Sequence, residues 1–229
     1  MMAIKRVGIL GAGKVGIVLA GLALNAGYEV RISGSGAQKK IDLTIETLVP
    51  GAIAGINKDV VENSDVVILA IPLSRYKNID PSLLKGKLVI DAMNYWWETD
   101  GIREEVLNPD ETSSEQVQDY FKDATIAKTF NHMGYHNLQD EARPKDHPRR
   151  KALFVTGNDK AAVETIAEFV ETMGFDQVVH YKLSDGIMTE PGSPLFGASL
   201  THEELKNIID NFADTDFGKQ VLASGMTFN

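Results

Sequence analysis

Gly11-Ala12-Gly13-Lys14-Val15-Gly16 follows an apolar run at residues 6–10 and opens a stretch with helical patterning, so three glycines stand where a strand turns into a helix. In that setting each glycine has its own reason: Gly11 permits a tight turn, Gly13 lets the backbone approach a pyrophosphate, and Gly16 allows close packing of helix on strand. Ala12, Lys14 and Val15 complete the loop. Free N–H groups at the new helix start, with the helix dipole behind them, suit phosphate, and the chemistry expected here is dinucleotide binding.

A site specific for NAD places Asp or Glu about twenty residues past such a motif, to hold the ribose hydroxyls. This chain reads Arg31-Ile32-Ser33-Gly34-Ser35-Gly36-Ala37-Gln38-Lys39-Lys40 there, with three positive charges and no acid. Ser33 and Ser35, on either side of Gly34, offer hydroxyls to a 2′-phosphate, and Lys39 or Lys40 offers charge, while Arg31 lies inside the strand and can point elsewhere. The segment favours NADP over NAD; a solvated basic turn is the other reading.

Ligands of open α/β sheets gather outside the carboxyl ends of the strands. Three such ends carry polar or turn residues: Ala70-Ile71-Pro72, Asp91-Ala92-Met93-Asn94, and Thr129-Phe130-Asn131-His132-Met133-Gly134. Asn94, Asn131 and His132 are therefore expected near a nicotinamide ring or its acceptor, and Asn131 and His132 are the candidate catalytic residues. His132 is the best placed to give a proton, by its intrinsic pKa. His132 and His136 are four apart, but Gly134 lies between them and no nearby carboxylate or cysteine completes a set, so no metal is expected. Tyr95-Trp96-Trp97 leaves two readings open, an aromatic wall for a flat acceptor or a loop folded over the core.

The elements that must position these residues show as short apolar runs alternating with helical patterns, which predicts strands at 6–10, 29–32, 52–55, 65–71, 87–91, 125–129, 152–156 and 177–181. Continuous Val/Ile/Leu runs point to strands covered on both faces, hence an α/β fold with a mostly parallel, doubly wound sheet. Val15, Val18, Leu19, Leu22 and Ala26 mark a helix face stopped by Gly27. Ala162, Ile166, Phe169, Val170 and Met173 mark another, behind the N-cap candidate Asn158 and stopped by Gly174. Capping boxes at Thr112/Glu115 and Thr201/Glu204 predict helices at about 113–122 and 202–212. Residues 139–150 read as a polar surface loop and a weak boundary between a dinucleotide-binding domain at 1–150 and a C-terminal extension of the sheet at 151–229. Residues 184–199 are expected to cross the surface irregularly, and 214–229 carry no motif, leaving a disordered tail or one docked on a second subunit.

The chain has 229 residues, 43% hydrophobic and 24% charged, with 32 acids against 23 bases and a net charge of −9. That is an ordinary globular composition and a poor electrostatic footprint for nucleic acid or an anionic membrane. The absence of cysteine removes disulfides and thiolate chemistry and fits a reducing compartment. No run approaches the roughly 18 apolar residues of a membrane span, and the start lacks a signal-length apolar stretch, so the expected location is cytoplasmic.

The glycine motif at 11–16, Ser33-Gly34-Ser35, Ala70-Ile71-Pro72, and above all Lys128-Thr129-Phe130-Asn131-His132-Met133-Gly134 leading into Asn137-Leu138, resemble the NADP oxidoreductases dependent on coenzyme F420, an 8-hydroxy-5-deazaflavin. Phe154-Val155-Thr156-Gly157-Asn158-Asp159, Met173-Gly174-Phe175 and Glu190-Pro191-Gly192-Ser193-Pro194 follow in the order of short bacterial members, so the likeness runs from residue 4 to about 212. It implies a Rossmann domain with a small C-terminal extension, bound NADP, hydride transfer between nicotinamide and coenzyme F420 as co-substrate, and a homodimer. Members of that family often follow the second-strand serine with an arginine; this chain has Gly36 and then lysines.

The expected function is an oxidoreductase in which NADPH, held by Gly11, Gly13, Gly16, Ser33, Ser35 and Lys39, passes a hydride to a flat small-molecule acceptor. Such a transfer needs no protein nucleophile or acid–base pair. Two alternatives stand beside it: an NADPH-dependent reductase of a small imine or ketone, and a non-catalytic module that senses NADP(H).

Overall fold

A computed structural model describes residues 3–35 and 38–228, the side chains of 38–40 excepted. Eight strands, β1 (Arg6–Leu10), β2 (Glu29–Ser33), β3 (Ile53–Ala54), β4 (Val66–Leu69), β5 (Leu88–Asp91), β6 (Thr125–Lys128), β7 (Ala152–Gly157) and β8 (Asp176–His180), form one sheet in the order β3-β2-β1-β4-β5-β6-β7-β8. Neighbours are parallel except β6 with β7, which run antiparallel. The predicted strands are all present, with ends moved by a residue or two. The helices are α1 (Lys14–Asn25), α2 (Gln38–Leu48), α3 (Asn57–Glu62), α4 (Trp97–Asp100), α5 (Arg103–Val106), α6 (Ser113–Tyr120), α7 (Tyr135–Glu141), α8 (Lys160–Thr172), α9 (His202–Asp210) and α10 (Asp216–Ala223). Among the described residues no helix is long and apolar enough to cross a membrane.

Strand side chains alternate between two cores. Val7, Ile9, Val66 and Ile68 pack with α1 on one face, while Leu10, Val67, Leu69 and Val89 pack on the other with Leu73, Tyr76, Val117 and Phe121. Both faces being covered is why these strands read as unbroken apolar runs. A third core, holding Phe154, Val178, Leu205, Ile209 and Phe212, lies under α9 and α10.

Several local expectations need correction. Asp159, not Asn158, caps α8 by accepting from the Ala162 N–H, while Asn158 Oδ1 accepts from the Leu183 N–H. Residues 184–199 lie on the surface only in part: a 3-10 turn spans Leu183–Thr189, and Ile187, Met188 and Leu195 are buried in the third core, whereas Gly192, Pro194 and Gly197 are exposed. The polar stretch 139–150 includes the end of α7, and Arg150 is buried, donating to the carbonyls of Glu171 and Phe175. The described part of the tail is ordered on its own chain: Thr215 caps α10, and Val221 and Phe228 pack in the third core. Both capping boxes form as expected.

The strand order reverses between β1 and β4, which places the ligand crevice at their carboxyl ends, where the glycine turn lies. Gly11 has φ 125°, and a Cβ on it would run into the Ala70 carbonyl. A Cβ on Gly16 would collide with the Gly11 carbonyl, so helix and turn touch only because both are glycines. Gly13 differs: a Cβ there meets nothing within 4 Å and would project into open space. Gly13→Ala is therefore expected to keep the fold yet lower NADPH affinity about tenfold or more, because the methyl occupies the approach of the ligand. Gly16→Ala should instead lower stability by about 1–3 kcal/mol through overpacking. Thermal melting and ligand titration of the two variants would separate these effects, and equal melting with equal affinity would refute the assignment.

At the carboxyl ends of β5 and β6, Asp91 and Lys128 face each other in register and form an ion pair of 3.2 Å with exposures of 0% and 1%. Asp91 also accepts from the Met93 N–H and the Ser114 hydroxyl, and Lys128 donates to the Met93 carbonyl. Breaking one partner leaves an uncompensated buried charge, so Asp91→Ala should cost about 3–5 kcal/mol in urea unfolding. The double replacement by apolar residues of similar volume should cost far less than the sum of the single changes.

Candidate functional site

Two cavities meet at the glycine turn. The first, of about 560 Å³, is lined by Gly11, Ala12, Gly13, Gly34, Ser35 and further residues of β2, α2, α3 and the β4 exit. The second, of about 690 Å³, runs toward the ends of β5 and β6 and is lined by Lys14, Val15, Asn94, Asn131, Tyr135 and Phe196 among others. Gly13, Ala70, Ile71 and Pro72 border both. Pro72 ends β4's ladder between the two, so the expectation for Ala70-Ile71-Pro72 and for the glycine loop matches where these residues lie.

In the first cavity, α1 begins at Gly13, with φ −83° and ψ −173°; no side chain caps it and no acid stands in its first turn. Its first N–H groups are thereby left for a ligand anion. Ser35 and Gly34 line the wall as expected. Ser33 also borders this cavity, with its hydroxyl turned to a protein partner. It is 1% exposed, and its hydroxyl donates to Asn57 Oδ1 at 2.6 Å, so its hydrogen is committed within the protein. Arg31 pairs with Glu29 at 3.0 Å and does not line the cavity. The side chains of Lys39 and Lys40 lie outside the described residues. Sequence reasoning missed Thr44, Asn57, Arg75 and Asn78, which complete the wall. None carries a local motif; they converge only because α2, α3 and the β4 exit fold over the same strand ends.

In the second cavity, Asn131 and His132 do not project as free functional groups. Phe130 takes φ 64°, a left-handed conformation that costs about 1–2 kcal/mol and is held by burial of its ring against Phe169. This turn directs Asn131 Nδ2 to the Thr189 carbonyl at 3.0 Å and to Asn94 Oδ1 at 3.1 Å, while Asn94 Nδ2 donates to the Asn131 carbonyl at 2.6 Å. The two asparagines clamp each other and form part of the cavity's floor. His132 is 2% exposed, and its Nε2 accepts from the Phe154 N–H at 3.1 Å. Desolvation lowers its pKa to about 4, against a smaller raising effect of the Leu195 backbone. It is neutral at physiological pH, with the proton on Nδ1, and it ties the end of β6 to β7. His132 thus anchors through Nε2, while the residue lines the second cavity and its Nδ1 has no hydrogen-bond partner among the described residues.

The aromatic segment divides. Trp96 stands at the rim, half exposed, with its ring 5.4 Å from Phe196. Tyr95 packs on the second core and donates to the Gly101 carbonyl, and Trp97 is exposed at the start of α4. Only Trp96 serves as a wall. Asp100 accepts from the Ser74 and Trp96 N–H groups, which locks the rim loop. Lys14 lies with its Nζ 5.2 Å from the Tyr135 ring centre, on the acceptor side of the turn and not along the phosphate cavity. His136 is exposed and rests on Tyr135, away from His132. Phe196 was the residue hardest to foresee, because its link to Trp96 spans a hundred positions and the chain between them carries no periodic sign of it.

Residues 6–95 match the family model described as NADP oxidoreductase, coenzyme F420-dependent. No curated protein matches the chain. Among solved structures, a hypothetical protein from Sinorhizobium meliloti is 25% identical with a TM-score of 0.73, covering 87% of this chain and 96% of that one. A protein from Arthrobacter sp. FB24, assigned as an F420-dependent NADP reductase, is 25% identical with a TM-score of 0.62, covering 77% of this chain and 84% of its own. An imine reductase from Pseudomonas sp. shares the fold at 15% identity and a TM-score of 0.53, with 92% of this chain aligned to 62% of that protein. The segment from β1 to Tyr95, which holds the glycine turn and the first five strands, is thus the part of the chain that is similar to the NADP oxidoreductases dependent on coenzyme F420.

Proposed function

We propose that this protein binds NADP(H) across the two joined cavities and moves a hydride between its nicotinamide and a flat acceptor, a deazaflavin of the coenzyme F420 type. The carrying observation is that Gly13, Ala70, Ile71 and Pro72 border both cavities. A two-ended ligand crossing the glycine turn has one end among Ser35, Thr44 and Asn57, and the other beneath Trp96 and Phe196. The α1 N–H groups hold its phosphates, and the open space before Gly13 admits them. NADP(H) supplies the hydride chemistry when bound; the chain orients both rings and excludes water.

The walls of the second cavity support a flat acceptor. Met93, Met133, Tyr135, Trp96 and Phe196 present apolar or aromatic surface. Three of its four titratable groups are engaged, His132 through Nε2 by the Phe154 N–H, Asp100 by two backbone N–H groups, and Lys14 by the ring of Tyr135, which is the fourth. Hydride exchange between two rings makes little demand on such groups, whereas reduction of an imine or ketone needs a proton at the reacting atom. The family match and the Arthrobacter relative point the same way.

The test is to mix purified protein and NADPH with coenzyme F420, FMN, FAD and a cyclic imine in turn. Loss of the deazaflavin's visible band, dependent on NADPH, is expected. Turnover of the imine alone would move the protein to the second reading, and tight NADPH binding with no turnover on any acceptor would make it a sensing module.

His132→Gln, which retains an acceptor for the Phe154 N–H, is expected to keep turnover at neutral pH; a large drop in kcat with unchanged NADPH affinity would restore His132 as a proton donor. Its folded pKa of about 4 lies below the unfolded value of about 6.5, so between them the unfolded chain binds the extra proton. Stability attributable to this residue is therefore full above about pH 6.5 and falls by up to roughly 3 kcal/mol as pH drops toward 4. Urea midpoints measured from pH 7 to pH 4 should fall less steeply in the variant than in the parent.

A further inference from the structure

The cavity on the phosphate side of the glycine turn is walled by backbone, apolar and neutral polar groups, and Arg75 is the one charged residue among its described lining residues, in a chain of net charge −9. Among the described residues, no hydrogen bond or ion pair engages its guanidinium. A cation left unpaired at a cavity whose other donors are neutral is available to an anion.

Its backbone is held in place, while the side chain itself is exposed. Arg75 lies in the 3-10 turn Leu73–Asn78, where residues three apart share a face. Leu73, Tyr76 and Ile79 form the buried face, at 0%, 2% and 5% exposure, and lock the turn into the second core. Arg75 and Asn78, also three apart, line the cavity from the opposite face. Across from them stand Ser35 and Thr44. Ser33, the hydroxyl nearest in sequence to the expected phosphate position, is buried and donates to Asn57, so it supplies no free donor.

We infer that Arg75 is the residue that selects NADP(H) over NAD(H), by pairing its guanidinium with the 2′-phosphate beside Ser35 and Thr44. A guanidinium presents a planar fork of donors that matches two phosphate oxygens, and a charge-assisted contact of this kind discriminates strongly against a ligand that lacks the phosphate. The exit of β4 then contributes a determinant of selectivity that the sequence reading placed only in the basic stretch after β2. The inference rests on the reading of this cavity as the NADP(H) site.

The test compares binding of 2′,5′-ADP, 5′-AMP, NADPH and NADH to the parent protein, Arg75→Ala and Arg75→Lys by calorimetry. Arg75→Ala should lose about 10- to 100-fold in affinity for 2′,5′-ADP and NADPH, while 5′-AMP and NADH change by no more than about twofold. Arg75→Lys, which keeps the charge without the fork, should fall between, and the affinity of the parent for 2′,5′-ADP should decline more steeply with salt than that of Arg75→Ala. Equal losses for phosphorylated and unphosphorylated ligands would overturn the assignment in favour of contact with adenine or the 5′-phosphate. An undiminished preference for NADPH in Arg75→Ala would overturn it outright while leaving the NADP(H) reading intact. A parent protein with no preference for NADPH over NADH would refute that reading and this inference together.

Discussion

The ion pair between Asp91 and Lys128 is the interaction on which the acceptor side of the molecule depends. Both side chains are withdrawn from water, so each charge would be strongly unfavourable without the other and without the Met93 backbone, Ser113 and Ser114 that share their remaining hydrogen bonds. The partners come from β5, from β6 and from the first turn of α6, and Gly186 lies directly on the lysine stem, where a side chain would be crowded. One buried pair thus binds four segments that are distant in sequence. Because Lys128 also donates to the Met93 carbonyl, it helps to set the path of the chain from Asp91 to Asn94, and with it the floor of the second cavity.

From that floor the site builds outward through paired constraints. Asn94 and Asn131 hold each other, the left-handed Phe130 aims Asn131 at Thr189, and His132 fastens the same turn to β7. These are polar groups in a buried setting, where an unmatched group is costly, and most of them are engaged by one another, with Asn131 Oδ1 and His132 Nδ1 left without a partner among the described residues. What they leave open is a shaped, largely apolar space beside a helix start whose N–H groups are free. The two cavities differ in kind: donors and, among the described residues, one cation line the first, and aromatic and thioether surface lines the second. That division suits a protein that orients cofactors and leaves the bond-making to them.

Much of this was legible in the chain. The glycine spacing, the apolar runs and both capping boxes depend on neighbours within a few positions, and sequence displays such neighbours directly. Less legible were roles that depend on burial. His132 and Asn131 have the side chains of catalytic groups and sit at a strand end, as catalytic groups do, yet packing against β7 and against Asn94 determines that they anchor. Ser33 stands where a phosphate ligand belongs, but Asn57, arriving from α3, takes its hydrogen. The stretch 184–199 looks irregular from its prolines and glycines, yet its first half forms a buried 3-10 turn and only its second half returns to the surface.

By itself the sequence determined the alternation of strands and helices, the doubly wound sheet, and the place of the dinucleotide turn, because local backbone sterics and hydrophobic periodicity act over short stretches of chain. Only the tertiary structure decided which polar residues face the cavities, which are spent on one another, and that Arg75 and Phe196 join the site. Those outcomes follow from desolvation and from contacts between segments tens of residues apart, and neither leaves a periodic trace along the chain.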